Sequence, residues 1–183
     1  LNKKVTGDNG PFSPIEKPKV SDALDYECEL AFVIGQRCRH VKAEDASSVI
    51  AGYMIANDVS VRDWQLHSAT WTIGKSFDTH GPIGPALVTP DEIEDPHNLD
   101  IRLYVNDEIR QDSNTSDMIY NCFDMIEYLS TVFTLEPGDI FATGTPEGVG
   151  TGFDPPKFLK VGDTVRCEIE GLGAIENEVI PEQ

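Results

Sequence analysis

Apolar residues recur along this chain with two different periods, and a period of two dominates. Over residues 25–35 (DYECELAFVIG), alternation of faces groups Tyr26, Cys28, Leu30, Phe32 and Ile34 as the buried side of a core strand. Residues 51–56 (AGYMIA), 84–89, 99–105, 139–143 (DIFAT), 164–169 and 174–180 read as further strands. Asn106-Asp107 is a hairpin turn into a short strand over 108–111, and a glycine turn at 171–173 joins the last two strands. The helical period is sustained only once. Met118, Cys122, Met125, Ile126, Leu129, Val132 and Phe133 predict one long helix over 117–133, closed by Pro137-Gly138. Shorter helical pieces are expected over 43–50 and 59–66. Residues 1–24, punctuated by Gly7, Gly10, Pro11, Pro14 and Pro18, read as loop with a short strand. The sum is a strand-dominated α+β fold without βα alternation.

The other face of the first strand carries the chemistry. Glu27 and Glu29 are two residues apart, so they point the same way from an otherwise apolar segment. Two like charges side by side repel unless something positive lies between them, and Mg²⁺ or Mn²⁺ suits carboxylate oxygens. The bland alternative is an amphipathic strand with one wet face. Asp58 follows the 51–56 strand, where a rigid element can aim it. It completes a possible three-oxygen set, or it caps the turn that follows.

Three other features bear on chemistry. Gly74-Lys75-Ser76 imitates the end of a phosphate-binding loop, but position 69 is Ala69 and residues 77–85 (FDTHGPIGP) cannot form the required helix, so no nucleotide is expected. Lys75 is then a loop lysine or a cation for an acidic ligand. Residues 143–150 (TGTPEGVG) form a loop whose backbone N–H groups can approach an anion, or simply a turn. Of the histidines, His97 is expected on the surface, and His67 and His80 on the surface or behind the site.

Composition narrows the setting. The 183 residues suffice for one well-filled core. No apolar run is long enough to span a bilayer. The formal net charge of −18 sets the chain's field against nucleic acid and anionic membranes. Cys28, Cys38, Cys122 and Cys167 form no CxxC pair, which argues against structural zinc and for a reducing compartment, taken as the cytoplasm.

Four segments in order, residues 25–35, 57–65 (NDVSVRDWQ), 74–85 (GKSFDTHGPIGP) and 143–150, closely resemble the fumarylacetoacetate hydrolase superfamily. The resemblance implies a mixed β-sandwich roll with one long helix, a homodimer, and one divalent ion per subunit, Mg²⁺ or Mn²⁺, with Ca²⁺ also compatible. It carries metal-ligand roles to Glu27, Glu29 and Asp58, a catalytic and substrate-binding role beside the metal to Lys75, and substrate contacts to Arg62, Gln65 and Thr145. Members act on small 2-oxo and 2,4-dioxo acids, some in aromatic catabolism. The expected reaction is hydrolysis of a C–C bond, as in acylpyruvates and fumarylacetoacetate. The alternatives are isomerisation of the 2-hydroxyhepta-2,4-diene-1,7-dioate type, decarboxylation of oxaloacetate, or metal and oxo-acid binding without turnover. Hydrolytic members use an upstream histidine, and residues 1–24 hold none. Residues 1–183 are therefore expected to be a single catalytic domain without its N-terminal segment.

Overall fold

The computed structural model describes residues 7–183, so Leu1–Thr6 of the expected N-terminal loop lie outside the described residues. In chain order the elements are β1 (Asp8–Asn9), β2 (Ile15–Lys17), β3 (Leu24–Asp25), β4 (Cys28–Ile34), β5 (Ile50–Asn57), β6 (Ser60–Val61) and α1 (Arg62–Gln65). There follow β7 (Gly81–Val88), β8 (Asp100–Val105), β9 (Glu108–Asn114), α2 (Cys122–Val132), β10 (Ile140–Ala142), β11 (Thr164–Ile169) and β12 (Gly173–Pro181). Strands dominate, as the period-two pattern requires.

One sheet runs β1-β7-β5-β4-β10 and the other β2-β12-β11-β8-β9, while β3 and β6 form a short ribbon. Both sheets are mixed: β1 lies parallel to β7 and β2 to β12, and the remaining pairs are antiparallel. The inner faces share one core. Cys28, Leu30, Phe32 and Ile34 of β4 join Tyr53 and Ile55 of β5 and meet Val165, Cys167 and Ile169 of β11 and Leu103 of β8. Each large aliphatic or aromatic side chain buried there contributes about 1.5–3 kcal/mol relative to exposure. That burial holds β4 in register, and register decides the other face, because a one-residue slip would turn Glu27 and Glu29 into the core.

The structure departs from these expectations in helix bounds and type, in the length of one strand and in the burial of one histidine. The long helix begins at Cys122 rather than at residue 117, because Asn121 accepts hydrogen bonds from the N–H groups of Phe123 and Asp124 while Asp124 caps Asn121 in return. This capping box stops the helix, and Thr115–Asp117 form a separate 3₁₀ turn. The piece at 43–50 is likewise 3₁₀, over Ala43–Val49, clamped to α2 by Glu127, which accepts from the Ala43 N–H. β9 runs three residues further than expected, since Asp112 and Asn114 pair with Arg102 and Asp100 across the ladder. His97 is half-buried, not a surface residue: it stacks edge-on against Phe123, and its Nε2 accepts the Cys122 N–H at 3.3 Å.

Candidate metal centre

Glu27, one residue ahead of β4, and Glu29 within it lie on the strand's outer face, and the antiparallel partner brings the third carboxylate. Glu29 lies opposite Ala56, and two residues on, past the end of β5, Asp58 falls on the same face with its N–H on the Glu27 carbonyl at 2.9 Å. The carboxylate oxygens of Glu27, Glu29 and Asp58 lie within 4.8 Å of one another, the one such set of metal-ligating groups among the described residues. Glu27 and Glu29 are buried and Asp58 nearly so. Asp58 does not cap α1, whose N-cap is Val61.

Two cations compensate these charges. Lys75, only 4% exposed, places Nζ 2.5 Å from Glu27 Oε2 and 2.7 Å from Asp58 Oδ2. Arg62 Nη1 lies 2.6 Å from Glu27 Oε1 and 3.1 Å from Gln65 Oε1, and its Nε lies 2.8 Å from Asp25 Oδ2. Burial alone would lower both basic groups, but Asp58 and Glu27 hold Lys75 above its ordinary value, and Glu27 and Asp25 do the same for Arg62. Arg62 Nη2 is buried with no hydrogen-bond partner among the described residues, a donor left over for an acceptor the chain does not supply.

Glu29 is the member with least compensation. It accepts the Gly144 N–H at 2.9 Å. Burial first, then the charges of Asp58 and Glu27, push its pKa up to about 8, against the opposing pull of Gly144 and Lys75. With all groups ionised, the carboxylates of Asp25, Glu27, Glu29 and Asp58 against Arg62 and Lys75 leave the cluster short by two positive charges. A hard divalent cation fits that deficit and that all-oxygen donor set. Glu27, Glu29 and Asp58 would hold it.

The remaining expected residues fall close by in the chain's folded order. Gln65 meets Arg62, as described. Thr145 sits in the glycine loop, but its hydroxyl donates to the Cys28 carbonyl at 2.9 Å and accepts from Gln111 Nε2 at 2.8 Å, so its proton is already engaged with the strand. His80 is buried, with Nε2 2.9 Å from the Glu16 carbonyl, and stacks on Phe77; His67 is exposed beside Trp64.

Two site-building residues escaped the sequence reading. Asp25 is fully buried and accepts from the N–H groups of Tyr26 (2.9 Å), Gly150 (2.7 Å) and Thr151 (2.9 Å) besides Arg62. It shares the alternation of Glu27 and Glu29, and that signal was available. Gln111 bridges Cys28 to the glycine loop from the other sheet, a contact no local pattern announces.

The family model for the fumarylacetoacetate (FAA) hydrolase C-terminal domain matches residues 2–180. The chain belongs to this family. A mitochondrial oxaloacetate tautomerase of Xenopus laevis is 51% identical over 182 residues, covering 98% of this chain and 57% of its own length. A fumarylacetoacetate hydrolase of Exiguobacterium antarcticum superposes with a TM-score of 0.96 at 40% identity, over 100% of this chain and 66% of that one. A maleylpyruvate hydrolase of Sphingobium, solved with manganese(II) and pyruvate, gives a TM-score of 0.88 at 39% identity, over 99% of this chain and 64% of that one. The chain spans little more than half the length of the curated relatives it matches. The expectation of a cytoplasmic protein is overturned, since the frog relative and its rat and human counterparts are mitochondrial. Unpaired cysteines report a reducing compartment and cannot tell one such compartment from another.

Proposed function

We propose that the protein is a divalent-cation-dependent enzyme that interconverts the keto and enol forms of a small 2-oxo dicarboxylic acid of the oxaloacetate kind. One observation carries the reading: a cluster of four carboxylates and two cations that is two charges short of balance when fully ionised, with three of the carboxylates converging and an ammonium group bridging two of these. The tautomerase names of the relatives support this reaction over the C–C hydrolysis expected from the resemblance. When bound, Mg²⁺ or Mn²⁺ supplies the Lewis acidity that polarises a 2-oxo group.

The chain's own groups do the rest. Lys75, kept protonated by Asp58 and Glu27, sets a positive charge at the edge of the carboxylate set. There it stabilises negative charge developing on the 2-oxo oxygen as the enol forms. Arg62, fixed by Asp25, Glu27 and Gln65, offers its unpartnered Nη2 to a substrate carboxylate. The loop after β10 gives the Gly144 N–H to Glu29 and so aims that carboxylate. The match to the manganese-bound maleylpyruvate hydrolase favours a second reading, C–C bond hydrolysis at the same groups.

The test is stopped-flow ultraviolet absorbance of freshly dissolved enol-oxaloacetate with protein and Mg²⁺ or Mn²⁺. Decay of the enol band many-fold above the metal-only rate, with substrate mass conserved, is the expected result, and Lys75→Met should abolish it. Cleavage of an acylpyruvate into two products would replace tautomerisation by hydrolysis. Metal and oxalate binding with neither turnover would overturn the enzyme reading.

A further inference from the structure

The strand that carries the carboxylates keeps β5 on one side but loses its neighbour on the other where the site begins. β10 pairs with β4 only at Ala31, Phe32 and Val33. Thr143 still reaches the Leu30 carbonyl with its N–H and its hydroxyl, at 3.0 and 2.9 Å. The chain then turns away at Gly144, whose φ of +95° suits glycine, and its N–H goes to Glu29. Cys28, between the two ligand glutamates, would face this gap with a bare N–H and C=O. Both are buried, and a buried backbone group without a partner is costly.

The side-chain amide of Gln111 fills the gap. Gln111 is 1% exposed and comes from β9 in the opposite sheet. Its Oε1 accepts the Cys28 N–H at 3.0 Å, as the carbonyl of a neighbouring strand would. Its Nε2 donates to Thr145 Oγ1 and to the Pro146 carbonyl, both at 2.8 Å, and Thr145 Oγ1 donates onward to the Cys28 carbonyl at 2.9 Å. A primary amide offers the carbonyl acceptor and N–H donor of a peptide group, with one N–H to spare. The substitute peptide closes a ring of hydrogen bonds between the strand segment 27–29 and the loop 144–146.

We infer that Gln111 is a positioning residue for the metal centre: its amide sets the spacing between β4 and the glycine loop, and with it the seat of the Gly144 N–H on Glu29. The inference rests on the proposal that Glu27, Glu29 and Asp58 hold a divalent cation. Gln111 makes no hydrogen bond to any of the three; it acts through Cys28 and Thr145. Outer groups that orient ligands typically alter metal affinity 10- to 100-fold when removed. Simple core filling would not, because a methionine of similar shape would do it as well.

The experiment compares wild-type, Gln111→Met and Thr145→Val proteins by Mn²⁺ titration, reading free aquo-Mn²⁺ by electron paramagnetic resonance, and by hydrogen exchange of the loop amides. Gln111→Met should bind Mn²⁺ about tenfold more weakly, with faster exchange confined to residues 143–147. Thr145→Val, which cuts the same ring with little change of shape, should move both readouts the same way, and it decides the matter if Gln111→Met fails to fold. Folded variants that bind Mn²⁺ within twofold of wild type, or whose loop exchanges as in wild type, overturn the positioning role alone. A wild-type protein that binds no Mn²⁺ overturns the metal reading and this inference with it.

Discussion

Asp25→Asn would test how much the buried carboxylate of Asp25 holds the 150–151 loop and Arg62 in place. The Asp25 carboxylate is fully buried and takes four donors, the N–H groups of Tyr26 and Gly150 on one oxygen and Thr151 N–H and Arg62 Nε on the other. An asparagine of the same shape has one acceptor oxygen. Whichever way its amide turns, an NH₂ group confronts two of the four donors, and Arg62 keeps its charge with one buried partner fewer. Breaking a buried pair from one side costs about 3–5 kcal/mol, and the two lost bonds to a charged acceptor give a similar figure at about 1.5–3 kcal/mol each. These are two views of one loss and do not add. For a chain of this size about 1 kcal/mol moves the melting temperature by about 2–4 °C, so scanning calorimetry should show a fall of about 6–20 °C. A fall under about 3 °C would refute the reasoning, because it would mean that the loop and Arg62 are held without Asp25.

Three further outcomes follow from the same geometry. Glu29 titrates near 8 in the metal-free fold against about 4.5 in the unfolded chain. Between those values the native state binds the extra proton, so metal-free stability should fall as pH rises from about 4.5 to 8 and level off above; saturating Mg²⁺ should flatten the trend in melting curves taken across that range. Gly150→Ala would put a Cβ 2.5 Å from the Lys157 carbonyl oxygen and 2.6 Å from Asp25 Oδ1, so it should cost several-fold more stability than Gly138→Ala. The latter meets nothing within 4 Å and suffers only its φ of +92°, about 1–2 kcal/mol; equal denaturant midpoints for the two variants would contradict the packing. Oxalate should bind only after Mg²⁺ or Mn²⁺, seen as a calorimetric signal absent from the chelated protein, because the metal-free cluster is negative.

Much of this was legible in the chain because short-range periodicity decides it. The alternation from Tyr26 to Ile34 buried one face of β4, which placed Glu27 and Glu29 together on the other, and the strand ending before Asp58 brought the third carboxylate. The convergence of these three carboxylates therefore needed only register. Asp25 obeys the same alternation, yet its role depends on Gly150 and Thr151, whose arrival no pattern at residue 25 records. Gln111 was less legible still, since it looks like the polar end of a hairpin strand and acquires its role only when two sheets stack. The helix was misjudged at its start for a local reason. Met118 extends the apolar stripe, but the capping box at Asn121 and Asp124 outweighs one more turn of that stripe.

Net charge was the least informative number in the sequence, because it adds groups that do unrelated work. Exposed acids such as Asp22, Glu108 and Glu136 pair with lysines or arginines at the surface, where screening leaves such pairs worth little. The buried acids Asp25, Glu27 and Glu29, with Asp58 beside them, belong to a different problem, in which each charge must be answered at contact distance. Arg62 and Lys75 answer part of it. The part left over matches a divalent ion. On the proposed reading, a cluster holding that ion would no longer oppose an anion, and the surface field of an acidic chain would govern only how fast an anionic ligand arrives. On that reading, the residues that make the fold's interior acidic are the ones that, with a metal, would let it accept an acid.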